Sequence, residues 1–318
     1  MKQNACICYI TCLRDVNLLI RSLALLHNNW SYAKDYDTIV FHDDLTPMHI
    51  SKINVELHRN LGYVPNIKWT KIQFNMPSHV STDPSKYIVD LREFWMGYRH
   101  MCNFHSWEIY EKLKDYEYYL RLDSDSYILG PINIDLFDFM KQNDLSYGYM
   151  RDEDREVPRV AIDLWETTKK FMADNNVDRS IIDNHLVNGE WDLKLFYTNF
   201  EISRVDTFYN EKYKKYYDCL NQTGKIYYNR WGDAPIHWFG VRMFVPDNKV
   251  WSVSCVPYQH NNWVKNLRSI PILNNLPCTS QLLNKYIDGS NEAGRLGRFN
   301  YAWARYMKTG IDGVNWGD

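Results

Sequence analysis

The sequence predicts an α/β fold in which a mostly parallel sheet is flanked by helices. Short apolar runs of strand length alternate along the chain with segments whose apolar residues recur at helical spacing. The first run, Ala5–Thr11, is continuously apolar, as expected for a strand covered on both faces. Neither a G-x-G-x-x-G loop nor a G-x-x-x-x-G-K-[ST] loop occurs, so dinucleotide-binding and P-loop folds lose their main support.

The other elements follow in chain order. A helix is predicted directly after the first strand, from apolar residues at Val16, Leu19, Ile20, Leu23 and Leu26. Apolar runs predict further strands at residues 38–41, 118–122 and 145–150. Helical spacing predicts three later helices, marked by Met101, Phe104, Trp107 and Tyr110; by Leu164, Trp165, Thr168, Phe171 and Met172; and by Phe208, Tyr209, Tyr213, Tyr216, Tyr217 and Leu220.

The organisation of the chain indicates one compact domain over residues 1–318. No Pro-rich or Ser-rich linker divides the sequence, and no internal repeat is visible. Residues 274–298 hold several Asn, Gly and Pro residues and are predicted to form a long surface excursion.

Charge and composition exclude several classes of protein. With 37 Lys and Arg against 39 Asp and Glu, the net charge of −2 argues against a general nucleic-acid binder. No run approaches the roughly 20 apolar residues of a membrane span, and the N-terminus lacks the features of a signal peptide. Seven cysteines favour reduced thiols in the cytoplasm, although a lumenal catalytic fragment of a membrane-anchored protein would look the same. Aromatic residues make up 15% of the chain, which fits either a tyrosine-rich core or a sugar-binding site.

A pair of carboxylates follows the strand predicted at residues 118–122. Asp123 and Asp125 flank Ser124, and in an extended chain both side chains leave on the same face. At the carboxyl end of a parallel strand they occupy the place where open α/β sheets bind ligands. Two carboxylates there can hold a divalent cation whose coordination a diphosphate completes, but Asp and Ser also favour a simple solvated turn.

Two further clusters carry chemistry-bearing side chains. In residues 228–237, a Trp-Gly-Asp turn leads into a predicted helix that carries Pro235 and His237. A neutral imidazole beside carboxylates suits Mn²⁺, whereas a single histidine is also a common structural residue. Glu201 lies in an aromatic and aliphatic run at residues 197–202; a buried carboxylate there is either catalytic or bonded to backbone.

Together these stretches resemble the fungal α-1,2-mannosyltransferases of glycosyltransferase family 15. The resemblance covers roughly residues 5–255, and R-W-G-D-A-P-x-H is its most specific motif. It rests on residues 98–104 (YRHMCNF), 114–125 (KDYEYYLRLDSD), 199–202 (NFEI) and 230–237 (RWGDAPIH).

The resemblance implies a GT-A glycosyltransferase fold, with a nucleotide-binding part at about residues 1–150 and an acceptor-binding part at about 151–318. It implies GDP-mannose as donor, Mn²⁺ as cofactor, and transfer with retention to a hydroxyl, the 2-OH, of a mannoside or glycan acceptor. Members of the family act in the Golgi lumen and are held there by a membrane anchor. The resemblance therefore implies either a fragment of such an enzyme or a soluble member of the family.

The resemblance also assigns candidate residues. Glu201 is the candidate catalytic carboxylate, because a carboxylate stabilises the oxocarbenium-like sugar in the transition state. Asp123, Asp125 and His237 are the candidate metal ligands. Contacts to the nucleotide sugar are expected from Thr11, Arg14, Asp43, Asp123 and Asp125, and contacts to the sugar or acceptor from Tyr63, Trp231 and Asp233.

Three positions depart from the family pattern. Asp123-Ser124-Asp125 replaces a Glu-Pro-Asp motif, Asn103 replaces an arginine, and Trp238 stands where a small residue is usual. The first change restores the common D-x-D form of GT-A enzymes, and the other two bear on the acceptor and the sugar. Two alternatives stay open: another GDP- or UDP-sugar donor, or a catalytically inactive sugar-binding protein.

Overall fold

The computed structural model describes residues 2–152, 154–260 and the backbone of 263–265. Within these residues the strands are β1 (Ala5–Thr11), β2 (Asp37–His42), β3 (Ile67–Lys71), β4 (Tyr118–Leu122), β5 (Ser126–Ile128), β6 (Tyr147–Tyr149), β7 (Phe200–Arg204), β8 (Val250–Ser252), β9 (Tyr258–His260) and β10 (Trp263–Lys265). The α-helices are α1 (Val16–Asn29), α2 (Pro47–Leu61), α3 (Met96–Asn103), α4 (Ile109–Leu113), α5 (Leu136–Gln142), α6 (Leu164–Asp174), α7 (Glu211–Gln222), α8 (Lys225–Tyr228) and α9 (Asp233–Phe244). The predicted surface excursion at residues 274–298 lies outside the described residues.

The chain divides into two compact units, each built from separate segments of sequence. In the described part of the chain, unit 1 comprises residues 2–8, 72–121, 136–152 and 154–253, and unit 2 comprises residues 9–71, 122–135, 254–260 and 263–265. The division therefore does not follow a linear split near residue 150. The single catalytic domain with two linear parts stays a prediction.

Unit 1 contains five strands in the order β1-β4-β7-β6-β8. β1 and β4 are parallel, in register from Ala5 opposite Tyr118 to Cys8 opposite Arg121. β6 pairs antiparallel with β7, which sets Tyr149 opposite Glu201, and parallel with β8. The inner strands are buried along most of their length, so hydrophobic burial holds this sheet together.

One helix pair of unit 1 fixes the position of α9. Gly240 on α9 faces the ring of Tyr213 on α7, and a Cβ at Gly240 would lie 2.5 Å from the Tyr213 Cε2 atom. Ten of the twelve α9 residues are buried, so the helix has no solvent-facing stripe. Close packing at Gly240 therefore sets how near α9 approaches α7.

Substituting Gly240 should destabilise the chain by overpacking. We expect Gly240→Ala to lower the free energy of unfolding by about 1–3 kcal/mol, because the added methyl group must displace the Tyr213 ring. Urea unfolding followed by tryptophan fluorescence measures this change. Gly62→Asn is the control: Gly62 has a φ of +76°, which asparagine tolerates, and open space around its Cα. A Gly240→Ala chain as stable as the parent would contradict the packing argument.

Unit 2 contains a parallel strand pair and a small antiparallel sheet. β2 and β3 are parallel, with Thr38 opposite Ile67. The small sheet has the order β10-β9-β5, and Ser126 on β5 lies opposite His260 on β9. This register brings two distant parts of the sequence to one place, as the next subsection describes.

Several predicted elements coincide with observed ones. The strands predicted at residues 5–11 and 118–122 match β1 and β4, and the helix predicted after the first strand matches α1. The helix predicted around Phe104 is interrupted by a π-helical turn at Phe104–Glu108. Among the described residues, no helix is both long enough and apolar enough to cross a bilayer. Six cysteines in this part of the chain are free thiols, and Cys278 lies outside it.

Candidate functional site

Unit 2 assembles a group of metal-ligand type at the end of β4. The three residues after β4 form a turn, in which the Ser126 amide donates to the Asp123 carbonyl at 3.0 Å. The β5–β9 register then brings His260 beside the carboxylates, with His260 Nε2 3.1 Å from Asp125 Oδ1. One ligand atom each from Asp123, Asp125 and His260 lie within 4.8 Å of one another.

The chemistry of this group fits the predicted divalent ion. Two carboxylate oxygens and one imidazole nitrogen form a mixed donor set, which suits Mn²⁺ and similar ions better than a carboxylate-only site. Asp123 and Asp125 are partly exposed, with 30% of the Asp125 side chain accessible, so an ion and its remaining ligands can reach them. Residues 123–125 therefore form a turn and also present side chains that could hold a metal ion, so the two interpretations of the D-x-D motif are compatible.

Residues next to this group hold it in place. The Ser124 hydroxyl donates to the Ile10 carbonyl and lies 3.1 Å from the Thr11 hydroxyl, which ties the D-x-D turn to the end of β1. The hydroxyls of Ser126 and Tyr258 lie 2.7 Å apart and join β5 to β9. Thr11, a predicted nucleotide contact, is thus a buried neighbour of the turn.

The other predicted nucleotide contacts lie on the exposed rim of unit 2. Arg14 has 67% of its side chain exposed and pairs with Asp15, at 2.9 Å from Nη2 to Oδ2. Asp43 is exposed directly after β2. Asp44, which the sequence analysis did not single out, accepts the Leu13 amide at 2.9 Å and so holds the segment that carries Arg14.

Unit 1 buries a second polar cluster around Glu201. Glu201 lies on β7 with 1% of its surface exposed, and donors from three other elements contact it. The Tyr119 hydroxyl on β4 donates to Oε1 at 2.5 Å, and the Tyr147 hydroxyl on β6 donates to Oε2 at 2.9 Å. His237 Nδ1 on α9 lies 2.7 Å from Oε2.

These contacts favour the ionised form of Glu201. Burial raises the pKa of this carboxyl group, but the charge and hydrogen bond of His237, with the charge of Arg121, outweigh it and hold the pKa below its ordinary value. Each donor satisfies a lone pair that burial would otherwise leave unpaired. The result is a carboxylate, fixed in position inside unit 1.

His237 belongs to this cluster rather than to the metal group of unit 2. Its Nδ1 faces Glu201, and its Nε2 lies 2.9 Å from the Tyr110 hydroxyl and 3.0 Å from the His105 carbonyl. With both ring nitrogens bonded to protein, His237 has no nitrogen left for an ion in this arrangement. The histidine that strand pairing brings to Asp123 and Asp125 is His260, whereas the predicted metal ligand His237 lies beside Glu201.

A buried ion pair lies in the same unit. Arg121 Nη1 and Asp233 Oδ2 are 2.5 Å apart, both side chains are at most 6% exposed, and the Thr198 hydroxyl also donates to Asp233. Burial raises the pKa of Asp233, but Arg121 and the nearby histidines overcome this and hold the pKa well below its ordinary range. The Asp233 carboxylate is therefore buried and paired with Arg121, and its contact with the acceptor or sugar stays a prediction.

The aromatic candidates differ in exposure. Trp231 is fully buried, and its indole N–H donates to the Ile162 carbonyl at 2.9 Å, so its ring is a core residue here and presents no face to a sugar. Tyr63 is 39% exposed, and its hydroxyl lies 3.1 Å from His27 Nδ1. Most of the tyrosines placed at helical spacing are buried, which accounts for much of the aromatic content.

Two positions that depart from the resembled pattern are also internal. Asn103 is 4% exposed, accepts the Tyr217 hydroxyl and donates to Glu108, at 3.0 and 3.1 Å. Trp238 is 1% exposed and packs against Phe239.

Comparison with known proteins gives consistent results. The family model described as glycolipid 2-alpha-mannosyltransferase matches residues 1–293. The chain is 30% identical over 276 residues to glycolipid 2-alpha-mannosyltransferase 2 of Candida albicans, covering 80% of this chain and 58% of that protein. It is 28% identical to the probable mannosyltransferase KTR3 of Saccharomyces cerevisiae, covering 79% of this chain and 65% of that protein. The chain therefore spans about 60% of the length of these relatives.

Solved structures confirm the predicted GT-A fold. The crystal structure of core-mannan synthase A from Aspergillus fumigatus, in its Mn/GDP form, superposes with a TM-score of 0.71 at 25% identity and covers 83% of this chain and 76% of that chain. The structure of the mannosyltransferase Ktr4p from S. cerevisiae with GDP gives a TM-score of 0.73 at 22% identity, covering 93% of this chain and 84% of that chain, and it supports the fold alone.

Proposed function

The chain belongs to the glycolipid 2-alpha-mannosyltransferase family, and on that premise we propose that it transfers mannose from GDP-mannose to a hydroxyl of a mannoside or glycan acceptor. The observation that carries the proposal is the group of Asp123, Asp125 and His260. A nucleoside diphosphate leaving group needs its charge balanced, and a divalent ion held by this group would supply that balance.

We propose Mn²⁺ as the ion, held by Asp123, Asp125 and His260. A relative of the same fold is known in a Mn/GDP form, and the donor set here suits that ion. When bound, the ion supplies Lewis-acid stabilisation of the diphosphate that departs. The chain's own part is to fix the ligands, through the Ser124 contacts to β1 and the Ser126–Tyr258 hydrogen bond.

The nucleotide itself is proposed to bind along the rim of unit 2. The ends of β1 and β2 carry the three candidates Thr11, Arg14 and Asp43. Of these, Thr11 lies next to the D-x-D turn. The exposed guanidinium of Arg14 can exchange its contact with Asp15 for a phosphate oxygen, since arginine is well suited to phosphate. Tyr63 is the remaining exposed aromatic candidate for a sugar contact.

Glu201 is proposed as the carboxylate that stabilises the positive charge on the transferred sugar. Retention requires that the leaving group and the acceptor use the same face, and a negative charge then stabilises the positive anomeric centre. The ionised, firmly held Glu201 supplies that charge. We propose transfer to the 2-hydroxyl of mannose because the matching family and the relative from Candida albicans are named 2-alpha-mannosyltransferases.

A donor panel tests the proposal. The chain is incubated with Mn²⁺, methyl α-mannoside and either GDP-mannose, another GDP-sugar or a UDP-sugar, and the product is read by mass and linkage analysis. We expect a disaccharide with a 1,2 linkage from GDP-mannose alone. Product from a different sugar nucleotide would show that GDP-mannose is not the donor. Glycan binding without turnover of any donor would show that the chain is an inactive sugar-binding protein.

The metal part of the proposal has a binding readout of its own. Calorimetry should show that Mn²⁺ tightens GDP binding to the parent chain, and that Asp125→Ala removes this tightening because one charged ligand is lost. Asp35→Ala is the matched control, since it removes an exposed carboxylate of unit 2 outside the group and outside the proposed nucleotide contacts, and it should leave the Mn²⁺ effect in place. Equal GDP affinity with and without Mn²⁺ in the parent chain would contradict the proposal.

A further inference from the structure

Four large apolar side chains are exposed on two loops of unit 1, and we call this group the apolar patch. Ile88 and Trp95 lie on the loop before α3, and Val157 and Ile162 lie on the loop before α6. Single exposed apolar side chains are ordinary, whereas several together beside charged residues mark a surface that binds a ligand or a partner. The grouping of these four side chains depends on the contacts that join the two loops.

The end of α8 and the residue after it hold both loops. The Ile88 amide donates to the Tyr228 carbonyl at 3.0 Å. The side-chain amide of Asn229 donates to the Ile162 carbonyl, also at 3.0 Å. Both loops are thus fixed to consecutive residues of one segment, which gathers the apolar patch into one region of unit 1.

Arg230, the next residue of that segment, holds the loop that carries Trp95. Its Cζ lies 4.3 Å from the centre of the Phe94 ring, and its Nη2 lies 3.1 Å from Glu156 Oε1. Arg230 is buried and has a φ of +63°, a conformation that a residue other than glycine keeps only where surrounding contacts hold it. Three positions further along is Asp233, a predicted contact to the sugar or acceptor. The segment therefore runs from the Trp95 loop to a residue predicted to contact the acceptor.

Trp95 is the aromatic member of the apolar patch, and it is 49% exposed. A Cβ at Gly97 would lie 3.1 Å from Trp95 Cζ3, so the benzo part of the indole packs against the backbone of the first turn of α3. That contact limits the orientations of the ring. Two residues before Trp95, Glu93 forms an exposed ion pair with Arg159 on the other loop. A flat aromatic face with charged hydrogen-bonding groups nearby suits a pyranose ring, which offers a C–H face and hydroxyls.

We propose that the apolar patch is an acceptor subsite, in which Trp95 stacks on the sugar next to the one that receives mannose. The proposal rests on the function proposed above and deepens it, because it makes the acceptor an oligosaccharide of at least two sugars. Glu201 and Asp233 are buried, so a sugar on the exposed Trp95 ring is the neighbour of the reacting sugar and not the reacting sugar itself. The metal group belongs to unit 2 and should bind Mn²⁺ and GDP equally well without Trp95.

Kinetics with acceptors of one and two sugars test the proposal. Methyl α-mannoside is compared with the methyl glycoside of a mannose disaccharide, each with GDP-mannose and Mn²⁺. In the parent chain the KM for the disaccharide should be lower by at least about 10-fold, and Trp95→Ala should remove this difference. Both kcat and the KM values for methyl α-mannoside and GDP-mannose should change less than about 3-fold. Tyr209→Ala is the matched control, since it removes another exposed aromatic side chain of unit 1 and should keep the preference for the disaccharide.

A binding measurement covers the case in which Trp95→Ala does not fold. In a chain labelled with 5-fluorotryptophan, the fluorine signal that is absent from Trp95→Phe belongs to Trp95, and it should shift on titration with the disaccharide. A Trp95 signal unchanged by the disaccharide, or a Trp95→Ala chain that keeps the disaccharide preference, would overturn the proposal. A signal that shifts with protein concentration in the absence of sugar would assign the apolar patch to a second copy of this chain, and that result would overturn it as well.

These outcomes separate the subsite from the proposed function. A chain inactive with every donor, but with a Trp95 signal that responds to the disaccharide, would refute the function and leave a sugar-binding site at Trp95. A chain that transfers mannose to both acceptors with equal KM would refute the subsite alone.

Discussion

The Glu201→Gln chain is expected to transfer mannose at least about 1000-fold more slowly than the parent while binding Mn²⁺ and GDP equally well. The substitution keeps the size of the side chain and removes its negative charge, so the anomeric centre loses its stabilising partner. The metal group lies in unit 2 and is untouched by the change. Initial rates with GDP-mannose and methyl α-mannoside, with calorimetry of GDP and Mn²⁺, measure the two properties.

The matched control is Glu108→Gln. It makes the same exchange of amide for carboxylate in unit 1, at a side chain that accepts a hydrogen bond from Asn103 and does not contact Glu201 in the structure. Its transfer rate should stay within a few-fold of the parent rate. If Glu201→Gln kept more than about a tenth of the parent rate, Glu201 would not be the carboxylate that stabilises the positive charge on the transferred sugar.

The second large effect is expected at the buried ion pair of unit 1. Asp233→Asn keeps the shape of the side chain but leaves the Arg121 charge buried without its partner, so we expect the free energy of unfolding to fall by about 3–5 kcal/mol. Urea unfolding measures the change. Asp174→Asn is the control, because it breaks the exposed pair with Lys170 and should produce no measurable effect.

The pH dependence gives a check with a definite sign. Arg121 lowers the pKa of Asp233 in the folded chain, so the unfolded chain binds more protons near the ordinary aspartate pKa of about 4. The stabilisation is therefore present above that pH and is lost as pH falls toward the lower folded pKa. Asp233→Asn should lack this part of the acid sensitivity. An acid unfolding profile identical to that of the parent would contradict the assignment.

Strongly patterned elements were predictable from the sequence. β4 was predicted with its observed bounds, since all five of its residues are buried and the strand opens with two tyrosines, which favour strands. α2 was missed although Ile50, Ile53, Leu57 and Leu61 recur at helical spacing; only Ile53 and Leu57 of its fifteen residues are buried. The capping box at Thr46 with Pro47 was the signal that could have found it.

The candidate site was predictable only where its residues are close in sequence. The D-x-D motif and Glu201 stood out because carboxylates interrupt apolar runs. His260 could not be found in this way: β9 has three residues and no periodic pattern, and its partnership with Asp125 depends on strand register. Local sequence made His237 the more attractive ligand, because the partners of its ring are distant in sequence: Glu201 on β7, Tyr110 on α4 and a carbonyl of the π-helical turn.

The register of β5 against β9 also determines when the metal-ligand group can form. His260 follows Asp125 by 135 positions, and most of the residues between them belong to unit 1. During synthesis the ligand set is therefore completed only after all of unit 1 has been made. Closing so long a loop costs entropy that an ion bound across Asp125 and His260 would help to offset, as any clip between distant positions does. Binding of the metal would then stabilise the folded chain late in folding, in addition to its proposed role in transfer.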